Sequence, residues 1–89
     1  MTLNFSNPSR SYDESHHRVR FWGYDSAMEI DFFVDVDALK KLCPKIDETE
    51  EGYLQAFDDS MKKIRSAAEK IYKNNGKGNY SYILTANEF

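Results

Sequence analysis

Chemistry in this 89-residue chain would have to come from a histidine pair, one cysteine, a run of arginines between aromatics, or a row of lysines. His16 and His17 follow Asp13 and Glu14, residue types that hold divalent metals. Adjacent residues on an extended strand point to opposite faces, so the two imidazoles cannot grip one ion together. No second ligand cluster stands at a diagnostic spacing, and the stretch reads as a solvated turn without a metal. Cys43, just ahead of Pro44, would need a base and an orienting third group to act as a nucleophile. Only the fold could bring His16 or His17 to it. Gly76-Lys77-Gly78 has too few glycines and no following helix to cradle a phosphate, and reads as a helix-to-strand turn. These residues define no catalytic, cofactor or metal site.

The other two groups suit binding. Arg18, Arg20, Trp22 and Tyr24 alternate along one segment and Phe33 lies in the next. On the outward face of a hairpin they would stand beside Glu29, Asp31 and Asp35. Large aromatics on a solvated face find either a cover or a partner. The cover would be the N-terminal segment (Leu3, Phe5, Tyr12) or the chain end. The partner would be another protein or a second copy of this chain. Arginines next to aromatics also suit stacking on single-stranded nucleic acid, but Asp25, Glu29, Asp31 and Asp35 would repel its backbone. Lys62, Lys63, Lys70 and Lys73 make a second, weaker basic face. It reads either as a solvated helix surface with charge ordered along the dipole, or as a footprint for RNA or an acidic protein patch.

Positioning these groups falls to two alternating segments around a Gly/Asp/Ser turn. Val19 and Phe21 share one parity, Met28, Ile30, Phe32, Val34 and Val36 the other. A common buried face then needs opposed residues whose numbers sum to an odd value, since a one-residue slip turns a strand over. A two-residue turn at Asp25-Ser26 satisfies this, pairing Phe21 with Ile30, Val19 with Phe32, Arg20 with Asp31 and Trp22 with Glu29. Ahead of the hairpin, Leu3 and Phe5 suggest a short strand broken at Asn7-Pro8. Tyr12 to Ser15 reads as a turn.

Beyond the hairpin, Asp37 is placed to cap a short helix, Ala38 to Leu42, stopped by Pro44. Asp47 to Glu50 resembles a capping box for a long helix over residues 49–73. Its apolar stripe is Leu54, Phe57, Met61, Ile64, Ala68 and Ile71, flanked by Tyr53 and Tyr72, and it ends at Asn74-Asn75-Gly76. Asn79 to Thr85 alternates again as a last strand, able to pair beside either hairpin strand. The predicted core holds Phe21, Ile30, Phe32, Leu54, Phe57, Ile64 and Ile71. These elements make one α+β domain over residues 1–89. A small, largely antiparallel sheet carries one short and one long helix on one face.

Six Phe, six Tyr and one Trp supply much of the packing. Formal charge is −3 overall but uneven: eleven acids against three Lys in residues 25–59, six bases against two Glu in residues 60–89. No apolar run approaches the ~20 residues of a membrane span. The start lacks the pattern of a secretory signal, and a lone cysteine argues for no oxidising compartment. The expected location is the cytoplasm.

The ordered set Tyr12-Asp13, Val19-Arg20-Phe21-Trp22-Gly23-Tyr24-Asp25, Glu29-Ile30-x-Phe32-Phe33-Val34 and Asp37-Ala38-Leu39 resembles the small bacterial proteins of the domain of unknown function 1488. Phe57-Asp58, Ala67-Ala68-x-Lys70-x-Tyr72 and Glu88-Phe89 extend the likeness over nearly the whole chain. It implies a short cytosolic proteobacterial protein of α+β type, with no activity and no binding residues to carry over. The functional expectation is a small non-enzymatic protein acting through protein–protein contact or self-association, centred on Arg18, Arg20, Trp22, Tyr24 and Phe33. The alternative is weak RNA or single-stranded DNA binding.

Overall fold

The computed structural model describes residues 3–5, 10–74 and 81–89. The break at Asn7-Pro8, the stop at Asn75-Gly76, the turn at Gly76-Lys77-Gly78 and the strand start at Asn79-Tyr80 lie outside the described residues. A four-stranded sheet runs in the order β1 (Arg10–Asp13), β2 (Arg18–Asp25), β3 (Met28–Asp35) and β4 (Ser81–Leu84). The first three are antiparallel, and β4 joins β3 in parallel. A parallel neighbour requires a crossover. Here α1 (Val36–Leu42), α2 (Glu50–Asp59) and α3 (Met61–Asn74) supply it. Contacts place α2 over the β1 side and α3 over the β4 side of one sheet face, which gives the α+β layering.

Parity holds in the hairpin: Val19, Phe21, Ile30, Phe32 and Val34 are all buried. The register is shifted by two residues from the expected one, with Phe21 opposite Phe32, Val19 opposite Val34 and Trp22 opposite Asp31. A shift of two leaves every side chain on its own face. It arises because the turn is Ser26-Ala27, with Asp25 kept in the strand opposite Met28. Ser26 has φ of 56°, the left-handed conformation that hairpin turns matching strand twist require at their first central residue. Keeping Asp25 in the strand buries its carboxyl group, and the Tyr72 hydroxyl donates to its Oδ2 at 2.5 Å. The same register stacks Phe21 on Phe32, ring centroids 5.4 Å apart. Met28, expected inward, is exposed at the hairpin tip, and Val36 is buried as the first residue of α1.

The N-terminal strand expected at Leu3 to Phe5 is a single bridge. Asn4 and Tyr24 exchange N–H···O bonds of 2.8 and 2.9 Å. Gly23 permits it, since a Cβ there would lie 2.8 Å from the Phe5 ring. Phe5 fills that space and packs 5.9 Å from both Phe21 and Phe32. The true first strand covers Arg10 to Asp13, partly where a turn was expected. Its inner positions are held by polar means: Arg10 donates twice to Asp58 of α2, at 3.0 and 2.8 Å, and Tyr12 stacks on Tyr53. The connection to β2 is a 3-10 turn, Glu14–His16, closed by His17 at φ 51°, a conformation in which His is among the tolerated residues.

Two helix expectations change. The short helix begins at Val36 and is capped by Asp35, which accepts from the Ala38 N–H at 2.9 Å; Asp37 lies inside its first turn. The long helix is two helices. Thr49 caps α2 by accepting from Gly52 N–H. At Ser60 the backbone leaves helical geometry (φ −107°, ψ 15°) while its carbonyl accepts from Ile64 and starts α3. The apolar stripe continues across the break, so periodicity alone cannot reveal it. The buried positions are Tyr53, Ala56 and Phe57 on α2 and Ile64, Ala67, Ala68 and Tyr72 on α3. Tyr53 and Tyr72 therefore belong to the core, whereas Leu54 and Ile71 are only partly buried against it.

Candidate functional site

The helices cover one face of the sheet. The opposite face carries the candidate residues in cross-strand rows set by the register. Arg18 stands between Asp13 and Asp35, Arg20 between Ser11 and Phe33, Trp22 opposite Asp31, and Tyr24 opposite Glu29. Parallel pairing of β4 then sets Ile83 beside Phe33. Ile83 is 49% exposed and is the large apolar residue of this face, among the described residues, to which the sequence pattern gave no role. Its signal could not be read before the partner strand was known, because alternation alone put it on the polar side of an unpaired strand.

The N-terminal cover expected for Trp22 and Phe33 is not formed by the described residues. Leu3, Phe5 and Tyr12 lie on the helix side, packed with the core, as does Phe89 at the chain end. The two aromatics are instead half-covered by their own neighbours. The Arg18 guanidinium sits 3.8 Å above the Phe33 ring and that of Arg20 sits 4.5 Å from Trp22. Such contacts contribute roughly 0.5–1 kcal/mol each where exposed. Arg20 misses the directly opposed ion pair expected with Asp31 but reaches it diagonally at 2.8 Å, with Glu29 at 3.3 Å. Arg18 donates to Asp13 at 3.1 Å, and His16 lies 2.9 Å from the same carboxylate. Partial desolvation of Asp13 pulls its pKa up, but the hydrogen bonds from Arg18 and His16 outweigh it and hold the carboxyl below its ordinary value. Arg18, Arg20, Trp22 and Phe33 thus form one contiguous group. Tyr24 stands at the far end, about 20 Å along the strand from Arg18, tied by its backbone to Asn4.

The remaining candidates are scattered. Cys43 caps the end of α1 with its Sγ 3.6 Å from the Ser60 hydroxyl, while His16 and His17 sit between β1 and β2. Among the described residues no group of three His, Cys, Asp or Glu side chains could hold a metal ion. No described helix is long and apolar enough to cross a membrane. Lys62, Lys63, Lys70 and Lys73 are exposed along α3. With the helix broken at Ser60, Lys62 and Lys63 occupy the first turn of α3, where the dipole disfavours cations. The expected dipole ordering of charge therefore fails at this end.

No curated protein matches the sequence. The crystal structure of a protein of unknown function from Shewanella loihica PV-4 superposes with a TM-score of 0.80 at 20% identity, covering 94% of each chain. That likeness shows the fold. Residues 3–84 match the family described as protein of unknown function (DUF1488), to which the Shewanella protein also belongs, and the chain is a member of that family.

Proposed function

We propose that this protein acts without catalysis, through contact with a second copy of itself across the open face of the sheet. The supporting observation is the exposure of Ile83 beside Phe33, on the same sheet face as Trp22, a face that no described element covers. Charge on that face lies in strips: Asp13 on β1, Arg18 and Arg20 on β2, and Glu29, Asp31 and Asp35 on β3. An isologous two-fold contact needs one patch carrying both signs. A dyad between β2 and β3 lays the basic strip of each copy over the β3 acidic strip of the other. The face measures at most on the order of 20 by 25 Å. Two copies would bury about 1,000 Å², below the ~1,200 Å² of stable complexes. The dimer is therefore weak. A nucleic acid fits this face poorly, because Asp13, Glu29, Asp31 and Asp35 stand on both sides of the arginines and repel phosphates, whereas a second copy brings both signs.

Sedimentation velocity over a range of protein concentrations tests the proposal. The parent should shift toward a dimer as concentration rises, and Trp22→Ala and Ile83→Lys should remain monomers with unchanged circular dichroism. A parent that stays monomeric throughout defeats it.

A further inference from the structure

On the helical side, Lys62, Lys63 and Lys70 surround a groove of about 500 Å³ whose floor is Leu42 of α1, Ala67 of α3 and Phe89. The floor side chains are buried or partly buried against the core, and the three lysines are exposed. None of the three has an ion pair within the described residues. Two of them also stand at the dipole end that disfavours them, so stability of the fold does not account for their placement.

We propose that this groove binds a short acidic peptide that inserts an apolar side chain between its carboxylates. Three cations around an apolar floor are complementary to that pattern, and the volume lies in the range of small-ligand clefts, about 300–1,000 Å³. RNA or single-stranded DNA is the poorer fit. Glu88 lines the groove and opposes either anion alike; the difference is that the groove offers lysines without an arginine fork, and that Asp58 and Asp59 flank the adjoining cavity that shares Leu42, Lys62 and Lys63. A polyanion running along α3 would meet those acids, whereas a short peptide stops before them. This surface is separate from the open sheet face, so the two proposals stand or fall independently.

The test is fluorescence anisotropy at low salt, with a labelled peptide of glutamates flanking a leucine–phenylalanine pair. An all-glutamate peptide and an oligouridylate serve as comparison probes. The amphipathic peptide should bind, release steeply with added salt, and exceed the all-glutamate peptide by roughly tenfold through apolar burial. Joint substitution Lys63→Glu and Lys70→Glu, both exposed, should weaken binding by about tenfold or more while circular dichroism stays unchanged. Absence of binding by the parent, or binding that survives the double charge reversal, overturns the proposal. So does equal affinity for all three probes, which would mark a non-specific polyanion surface.

Discussion

The two faces of one sheet are made by alternate residues of the same strands, yet they answer to different demands. Phe32 faces the helices, fully buried, with Phe21 stacked at 5.4 Å and Tyr82 at 5.6 Å. Phe33, the next residue, faces away and is half-covered by one arginine. On the inner face, shape is constrained from both sides by neighbouring layers. On the outer face, among the described residues, only in-plane neighbours constrain it. Burial on one side holds the fold together, and partial exposure on the other leaves aromatics available for contact.

The sharpest way to break this comparison is to truncate both neighbours. Phe32→Ala should cost roughly 3–5 kcal/mol, a large share of the roughly 5–15 kcal/mol available to a domain. Phe33→Ala should cost about 1 kcal/mol. Urea denaturation of the two variants decides, and equal losses would make the outer face structural as well. A smaller effect should come from Tyr72→Phe. Loss of the hydroxyl that donates to Asp25 leaves a buried carboxyl without that donor, at about 1–3 kcal/mol by thermal or chemical unfolding. An unchanged midpoint would show that the bond does not hold the hairpin tip to α3.

The smallest contrast is in pH. Burial raises the pKa of Tyr82 on the inner face. Its contribution is complete below the unfolded tyrosine value of about 10 and is lost as pH climbs through the raised folded value. Asp13, on the outer face, has a lowered pKa. Its contribution is present above about pH 4 and is lost as pH falls through the depressed value. Unfolding midpoints measured against pH should therefore flatten on the alkaline side in Tyr82→Phe and on the acid side in Asp13→Asn. The reverse assignment would contradict the placement of both residues.

Legibility in the sequence followed the density of apolar signal. The hairpin faces could be read because five large apolar residues repeat at period two, and the candidate residues Arg18, Arg20, Trp22 and Phe33 inherited their common face from that parity. The strand Arg10 to Asp13 could not be read, since its one aromatic is Tyr12 and its other inward residue, Arg10, is satisfied by Asp58 on a helix 48 residues away. The break at Ser60 was hidden for the opposite reason, an apolar stripe that continues through it. Ile83 gained its place on the outer face only once its partner strand was known.

Side-chain alternation and helical spacing, which are local, determined by themselves that a hairpin forms, that Val19, Phe21, Ile30, Phe32 and Val34 look inward from it, and that helices cover one side. Tertiary structure decided the register, the parallel seat of β4, the division of the helix and the burial of Asp25. The burial of Asp25 and the seat of β4 depend on contacts between distant residues, Tyr72 with Asp25 and Ile83 with Phe33. A period of two or 3.6 residues carries no information about which distant residue will arrive.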